Sequence, residues 1–462
     1  MRKFTTLCLL AFTAAMTATA EESRVVPTSP WPNDSTFSNV PPGDNANWWR
    51  TFEDPVLDSL ITLGETNNYN LAAAYKRIEI ARSQLRAARG AYSPTIGLSA
   101  GYTRERQSGR LAGRTGDAST VSYFNAGATM SWEIDVFGKI RSQVKHADAA
   151  VKVSAAEYAG VMVSLDAEIA STYINLIVEK QQLQIAMAHS DSQAHLVDIT
   201  EVRHNTGLVS KLDVAQAKTL YYSTIATIPL LEASIEASYN ALGVLTGVGR
   251  EGLPQSVYSA DMLPGHYQLA ALGAPVDLLR RRPDIVEAER NIDLAAAELG
   301  IARSAYLPSL SLSATVGTQA HNIGDMFSGP SFTYSVVPTL SWTLFDGLQR
   351  RNTAIAARQS MEAQIDSYNL TVLTAIEEVR DAIAHYKSSI QYIERLDNVV
   401  ENSEEEVRLS MDQYKQGLTI FSNVVDAQLN YLTYQNTLVS ARGDAISYLI
   451  NLYKALGGGW TE

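Results

Sequence analysis

Two carboxylates hold matched places in this chain. Asp213 lies in "HNTGLVSKLDVAQA" (204–217) and Asp426 in "YKQGLTIFSNVVDAQL" (414–429), with a two-residue insertion in the second segment. Each follows a Gly-Leu pair and opens a helical pattern. A carboxylate in the first turns of a helix is favoured by the positive end of the helix dipole, and acidic positions attract cations. Gly207 and Gly417 suit the left-handed position that stops a helix. Ser210 and Ser422 are the candidate N-caps of the helices that follow. Gly207, Leu208, Ser210, Gly417, Leu418 and Thr419 thus form two tight tips, whose two leucines make a small docking surface. Gly followed by Leu is equally ordinary helix-stop chemistry.

Nothing else in the chain has the spacing of a reactive site. There is no His-Glu-x-x-His, no Gly-x-Ser-x-Gly, no phosphate loop and no dinucleotide fingerprint. No catalytic residue, cofactor or metal ligand is expected. The seven histidines are scattered. His189 and His195, six apart on a helix, face different ways, and His204 reads as packing or tip surface.

The elements that place the tips are long helices. A seven-residue ladder runs Ile365, Val372, Val379, Tyr386, Ile393, Val400, Val407, Tyr414, and a second runs Met162, Ile169, Leu176, Leu183, Ser190, Val197, His204. A strict heptad means left-handed coiled-coil packing on a neighbouring helix. The stretch from about Gly347 to Gly417 extends ~100 Å as one helix. Polar substitution at Val379 or Ile393 is expected to harm assembly more than folding of one chain.

Only four segments alternate with period two, at about 95–104, 121–135, 309–318 and 332–345. Ile96, Leu98, Ala100 and Tyr102 oppose Thr95, Gly97, Ser99 and Gly101; the other three also pair an apolar row with a small polar one. That is how a barrel wall between lipid and a watery lumen reads, and also how a strand pair covering a soluble core reads. The polar loops 103–120 and 317–331 are surface turns.

The pattern is written twice. "ARGAYSPTIGLSA" (88–100) and "ARSAYLPSLSLSA" (302–314) agree at eight of thirteen positions. The ladders, the tips and the ends of the return helices ("NALGVLTG", "NLYKALGG") repeat as well. The chain is a tandem duplication: residues 48–250 form the first repeat, with its tip at about 205–211, and 251–462 the second, with its tip at about 415–422. Four strands cannot close a membrane barrel, whose smallest forms have about eight. Three chains would supply twelve strands and six tips.

Residues 1–20 read as a signal peptide: Arg2 and Lys3, an apolar run, then Ala18-Thr19-Ala20. The chain is thus exported, and its single cysteine, Cys8, falls in the removed part. Residues 21–47, rich in Pro, Asn, Asp and Ser, run extended. No later stretch offers the ~18 uncharged apolar residues of a spanning helix. A net charge of −12 argues against nucleic acid and suits cations.

"WWRTFEDPVLDSLI" (48–61), "RRPDIVEAERNIDLAAAELGIARSAYLPSLSL" (281–312), "SWTLFDGLQR" (341–350) and the two Gly-Leu tips resemble the TolC-like outer-membrane factors, in particular the subgroup serving resistance-nodulation-division (RND) pumps. The resemblance spans essentially the whole mature chain. It implies a homotrimer in which a twelve-strand transmembrane β-barrel and a long coiled-coil α-helical barrel are both completed by trimerisation. It further implies a place in the outer membrane of a Gram-negative bacterium, lipid around the barrel, and a periplasmic adaptor and an inner-membrane RND pump as partners. The function implied is a passive duct exporting small molecules.

By the same resemblance Asp426 forms a ring that narrows the periplasmic aperture, with Ser422 and Asn423 one turn earlier where relatives carry acidic or bulky residues. Tyr414 bonds Asp213 to latch the aperture; otherwise Tyr414 is the last rung of its ladder, and Asp426 a carboxylate at a helix start. The arginine that completes the latch in relatives is replaced by Thr419. Many relatives carry a lipidated cysteine at the mature N-terminus, which this chain lacks. Two alternatives share these features: the conduit of a type I protein-secretion system, and a periplasmic coiled-coil scaffold without a pore.

Overall fold

The computed structural model describes residues 45–108, 118–265 and 281–458. The expected signal peptide, the extended segment up to residue 44 and most of the first strand-to-strand loop lie outside the described residues. A 3-10 helix runs Asn45–Phe52, so the last residues of the stretch expected to be extended, 45–47, belong to that helix instead. The helices are α1 (Pro55–Asn67), α2 (Tyr69–Gly90), α3 (Lys139–Asn205), α4 (Lys211–Ile225), α5 (Ile228–Leu245), α6 (Gln255–Ser259), α7 (Pro283–Ser304), α8 (Gln349–Lys415) and α9 (Phe421–Ala455). The strands are β1 (Thr95–Gln107), β2 (Ser119–Ile134), β3 (Ser309–Ala320) and β4 (Phe332–Ser341). Chain contacts divide these into two units. Among the described residues, one holds 45–76, 156–265, 281–286 and 369–458; the other holds 77–108, 118–155 and 287–368.

The second unit carries one antiparallel sheet in the order β1-β2-β3-β4. Its register sorts the two faces. Leu98, Ala128, Val316 and Tyr334 form one rung, and Ile96, Met130, Ala314 and Val336 another. The intervening rung is Gly97, Thr129, Thr315 and Ser335. Side chains alternate across a strand, so one face is apolar over all four strands and the other small and polar. Val337, opposite Ser313, breaks the polar row. The apolar face is bare within one chain: Leu98 is 87% exposed. Gly127 and Gly317 face each other where the two repeats meet, and a Cβ on either would press into the main chain of the neighbouring strand.

Each repeat closes its sheet onto its helices in the same way. Trp132 donates its indole N–H to Tyr92 O and Trp342 to Tyr306 O, both at 3.0 Å. The repeated "AY" dipeptide is therefore an acceptor for a repeated tryptophan. Trp342 lies beyond the end of its strand. β4 stops at Ser341, four residues short of the expected 345, because its one neighbour, β3, begins at Ser309 just after Pro308, which has no N–H to offer. β2 runs on to Ile134, its last three residues pairing with Leu312, Ser311 and Leu310 of β3.

In the first unit the ladder of the second repeat is largely buried within one chain. Val372, Val379, Tyr386, Ile393 and Tyr414 are all core residues, Val379 with 0% exposure. Ile393 and Leu396 of α8 pack on Leu438, Ala441 and Ala445 of α9. This corrects one expectation: the ladder is an intrachain seam, so a charge at Val379 or Ile393 strikes the fold of the single chain first. One 18-residue stretch of α3 is apolar enough by composition to span a membrane, but more than half of it is buried in the chain, as befits a core helix.

Candidate functional site

Both tips are built by the same backbone device. The α3 end bonds Leu208 N to Arg203 O and Gly207 N to His204 O, each at 2.9 Å. The α8 end bonds Leu418 N to Gln413 O at 2.9 Å and Gly417 N to Tyr414 O at 3.0 Å. These are paired Schellman motifs, with Gly207 at φ +77° and Gly417 at φ +76°. The motif turns the next residue outward: Leu208 is 70% exposed and Leu418 72%.

The restarts differ. Ser210 caps α4, its Oγ accepting Asp213 N at 3.3 Å and donating to Asp213 Oδ1 at 2.6 Å. Ser422 does not cap α9. That helix starts at Phe421, four residues after Gly417 just as α4 starts four after Gly207, so Ile420 holds the cap position without a side-chain bond and Ser422 falls inside the helix. Asn423 instead reaches back to Thr419 Oγ1 at 2.8 Å and braces the second tip.

The two hairpins meet in an apolar cluster of Leu196, Ala217, Leu220, Tyr414, Phe421 and Val424. Tyr414 is central to it. Its ring packs on Phe421 with centroids 5.0 Å apart, and its hydroxyl donates to Asp213 Oδ2 at 3.4 Å. Burial first, then the Asp213 charge, pushes the phenol pKa above its ordinary value. It remains a neutral donor at physiological pH. Tyr414 is thus both the last rung of the ladder and the link between hairpins.

An arginine also stands here, which sequence comparison at position 419 does not reveal. The Arg203 guanidinium lies 5.0 Å above the Tyr414 ring, and its Nη1 donates to Lys415 O at 3.3 Å. It comes from α3, one residue before the ladder position His204, so its signal lay in the other repeat. Close by, Lys218 pairs with Glu201 at 2.6 Å.

Asp426 lies apart from this group. Its carboxylate, in the second turn of α9, is exposed and takes no hydrogen bond or ion pair among the described residues; Ser422 is half-buried. His189 is buried on Gln435. Among the described residues no three His, Cys, Asp or Glu side chains gather as a metal site would require. The site offers two apolar knobs, a polar contact between hairpins, and one solvent-facing carboxylate.

A family model described as "Outer membrane efflux protein" matches residues 60–248 and 274–458. The toluene efflux pump outer membrane protein TtgF of Pseudomonas putida is 28% identical over 93% of this chain and 91% of its own length. Among solved structures, the outer-membrane channel OprN superposes with a TM-score of 0.87 at 28% identity, covering 92% of this chain and 95% of its own. The outer membrane protein VceC of Vibrio cholerae gives 0.81 at 26% identity, covering 90% and 99%.

Proposed function

The chain belongs to the outer membrane efflux protein family, and from that premise we infer how it works. It is an efflux channel of the Gram-negative outer membrane, and its relatives include outer membrane proteins of toluene, solvent and antibiotic efflux pumps and of pyoverdine export. The observation that carries the reading is the sheet. Four strands present one continuous apolar face, and β1 and β4 each have a single partner. Unpaired strand edges cannot stand in hydrocarbon. Three copies joined β4 to β1 give a closed twelve-strand wall with lipid outside and the small polar rungs inside.

The tips supply a docking surface. Leu208 and Leu418, with Gly207, Ser210, Gly417 and Thr419 shaping their turns, form the surface on which a periplasmic adaptor docks, with an RND pump as the energy source behind it. Asp213, Tyr414 and Arg203 latch the hairpins. Asp426, with Asn423 and Ser422 one turn before it, lines the aperture. The duct itself is passive. The test is reconstitution: purified protein should migrate as a heat-modifiable trimer and conduct ions in planar lipid bilayers. A trimer without conductance would leave only a scaffold.

A further inference from the structure

Helix α9 is held by two unlike seams. Against α8 its buried contacts are mainly apolar, with Ile393 and Leu396 on Leu438, Ala441 and Ala445, and an exposed Arg442–Asp397 pair at 2.8 Å ties the two helices further. Against α3 a stretch of the seam is polar. Gln182 Nε2 donates to Ser440 Oγ at 2.9 Å. One heptad on, the buried His189 ring faces Gln435 Oε1 with Nε2 at 2.8 Å and lies against Tyr431 with centroids 5.3 Å apart. One turn further, Gln193 is 1% exposed, and neither its amide nitrogen nor its oxygen has a partner among the described residues. Asn436 Oδ1 on α9 is also buried without one. Apolar contacts flank the stretch: Val178 against Gly443 above, and the tip cluster with Leu196 below.

Buried polar groups left unpaired make a packed state less favourable than an apolar seam would, and polar residues at core positions of coiled coils trade stability for control of register. α9 is therefore fastened to α8 and only lightly held to α3. We propose that the α3–α9 seam from Gln182 to Gln193 is a slip plane, held by neutral His189 and released when that imidazole takes up a proton.

The surroundings of His189 favour the neutral ring. Gln435 accepts its one hydrogen. The titratable group facing it from α9 is the Tyr431 phenol, held un-ionised chiefly by burial, and Glu404 of α8 acts on that phenol. On His189 itself the influences are burial, which lowers its pKa, and the Gln435 bond, which opposes the shift; no carboxylate figures among them. A folded-state pKa below the ordinary value makes the closed seam most stable above that value and weakens it as pH falls. The imidazolium has a second N–H to satisfy and is better served by water, which enters when α8 and α9 shift together against α3. Asp426 rides on the moving helix. The inference rests on the duct reading for its purpose but is tested by geometry.

The full-length trimer is used, with Cys8, the sole cysteine, changed to Ser. Spin labels go on the exposed positions Ala188→Cys and Thr433→Cys across the seam, and as a control on Asn398→Cys and Thr433→Cys across α8–α9. Labelled chains are diluted with unlabelled ones so that each trimer carries one pair. Between about pH 7.5 and about pH 5, the seam distance should change by about 5 Å, one helical turn, while the control holds. His189→Gln, or His189→Asn should the first fold poorly, should abolish the change. Gln193→Leu should abolish it too and raise the melting temperature. A seam distance equal at both pH values overturns the proposal, as does a change that survives loss of His189 or one shared by the control. Conductance is measured on the same samples: a pH-dependent seam in a non-conducting trimer would sink the duct reading alone.

Discussion

Arg282 Nη2 lies 2.6 Å from Glu378 Oε2, although 96 residues separate them. The same guanidinium holds Asp284 through Nε at 3.0 Å and Nη2 at 2.7 Å, and gives Nη1 to Ala455 O at 2.8 Å. One buried cation thus joins the start of α7, the middle of α8 and the end of α9. In the sequence, "RRPDIVEAE" served only to mark a likeness; here its second arginine is a three-way clasp.

Removing that clasp should be costly. Hydrogen bonds to charged groups contribute about 1.5–3 kcal/mol each, and those here are shared. Arg282→Ala should lower stability by roughly 2–3 kcal/mol, read by thermal unfolding of the purified protein. Arg282→Lys should recover little, because a single ammonium cannot span a planar fork. Full recovery by lysine would mean that charge, not geometry, is what matters.

Asp166 should make stability depend on pH in an unusual direction. It is 0% exposed, and neither oxygen has a hydrogen-bond donor among the described residues. Burial, with the Glu65 charge adding, pushes its pKa up to about 8. The folded protein keeps this proton up to that pH, whereas the unfolded chain releases it near about pH 4. Between the two the folded state binds more protons, so stability falls as pH rises and levels off above about 8. Asp166→Asn should therefore stabilise the protein near neutral pH by roughly 1–3 kcal/mol and make little difference near about pH 4. A destabilised Asn variant at neutral pH would mean the carboxylate is ionised and paired.

The proposed latch predicts a leak. Tyr414→Phe removes the long bond to Asp213 but keeps the ring in its cluster. Arg203→Ala takes away the guanidinium above that ring and its bond to Lys415 O. If these contacts hold the aperture shut, each variant should raise resting conductance in bilayers, and the double variant should raise it further. Melting temperature should move little for Tyr414→Phe. Unchanged conductance in the double variant would leave Tyr414 as packing alone.

These features differ in how far the sequence revealed them. The strands, tips and duplication were legible because they rest on local chemistry: alternation in β1 to β4, glycine at the helix stops, and matched ladders. The end of β4 was not, since Trp342 and Leu344 continue the apolar alternation while Pro308 removes the partner that would pair them. Ser422 misled because a serine near a helix start is a cap only when the register allows; α9 restarts at the same distance from its glycine as α4 does, and the insertion carries the serine past the cap position into the helix. Arg203, Asp166 and the polar seam at Gln193 depend on which faces of long helices meet. A heptad gives the spacing of those faces without naming the partner.

The proposed aperture rests on Asp426. Its carboxylate is exposed and, among the described residues, unpaired within one chain, so three copies around a common axis would bring three like charges together at the narrow end. Salt screens such charges over about 8–10 Å, so a tight ring keeps its field while a wide one loses it. A ring of this kind draws cations into the opening and holds multivalent ones most strongly. Single-channel recording with trivalent cations on the tip side tests this directly. The wild type should be cation-selective and blocked, and Asp426→Ala should lose most of both properties. Asp426→Glu, which keeps the charge on a longer arm, should retain them. If block and selectivity persist in the alanine variant, the carboxylate faces away from the lumen. The constriction then belongs to Asp213, the other tip carboxylate, and Asp213→Asn should abolish the block that Asp426→Ala left intact.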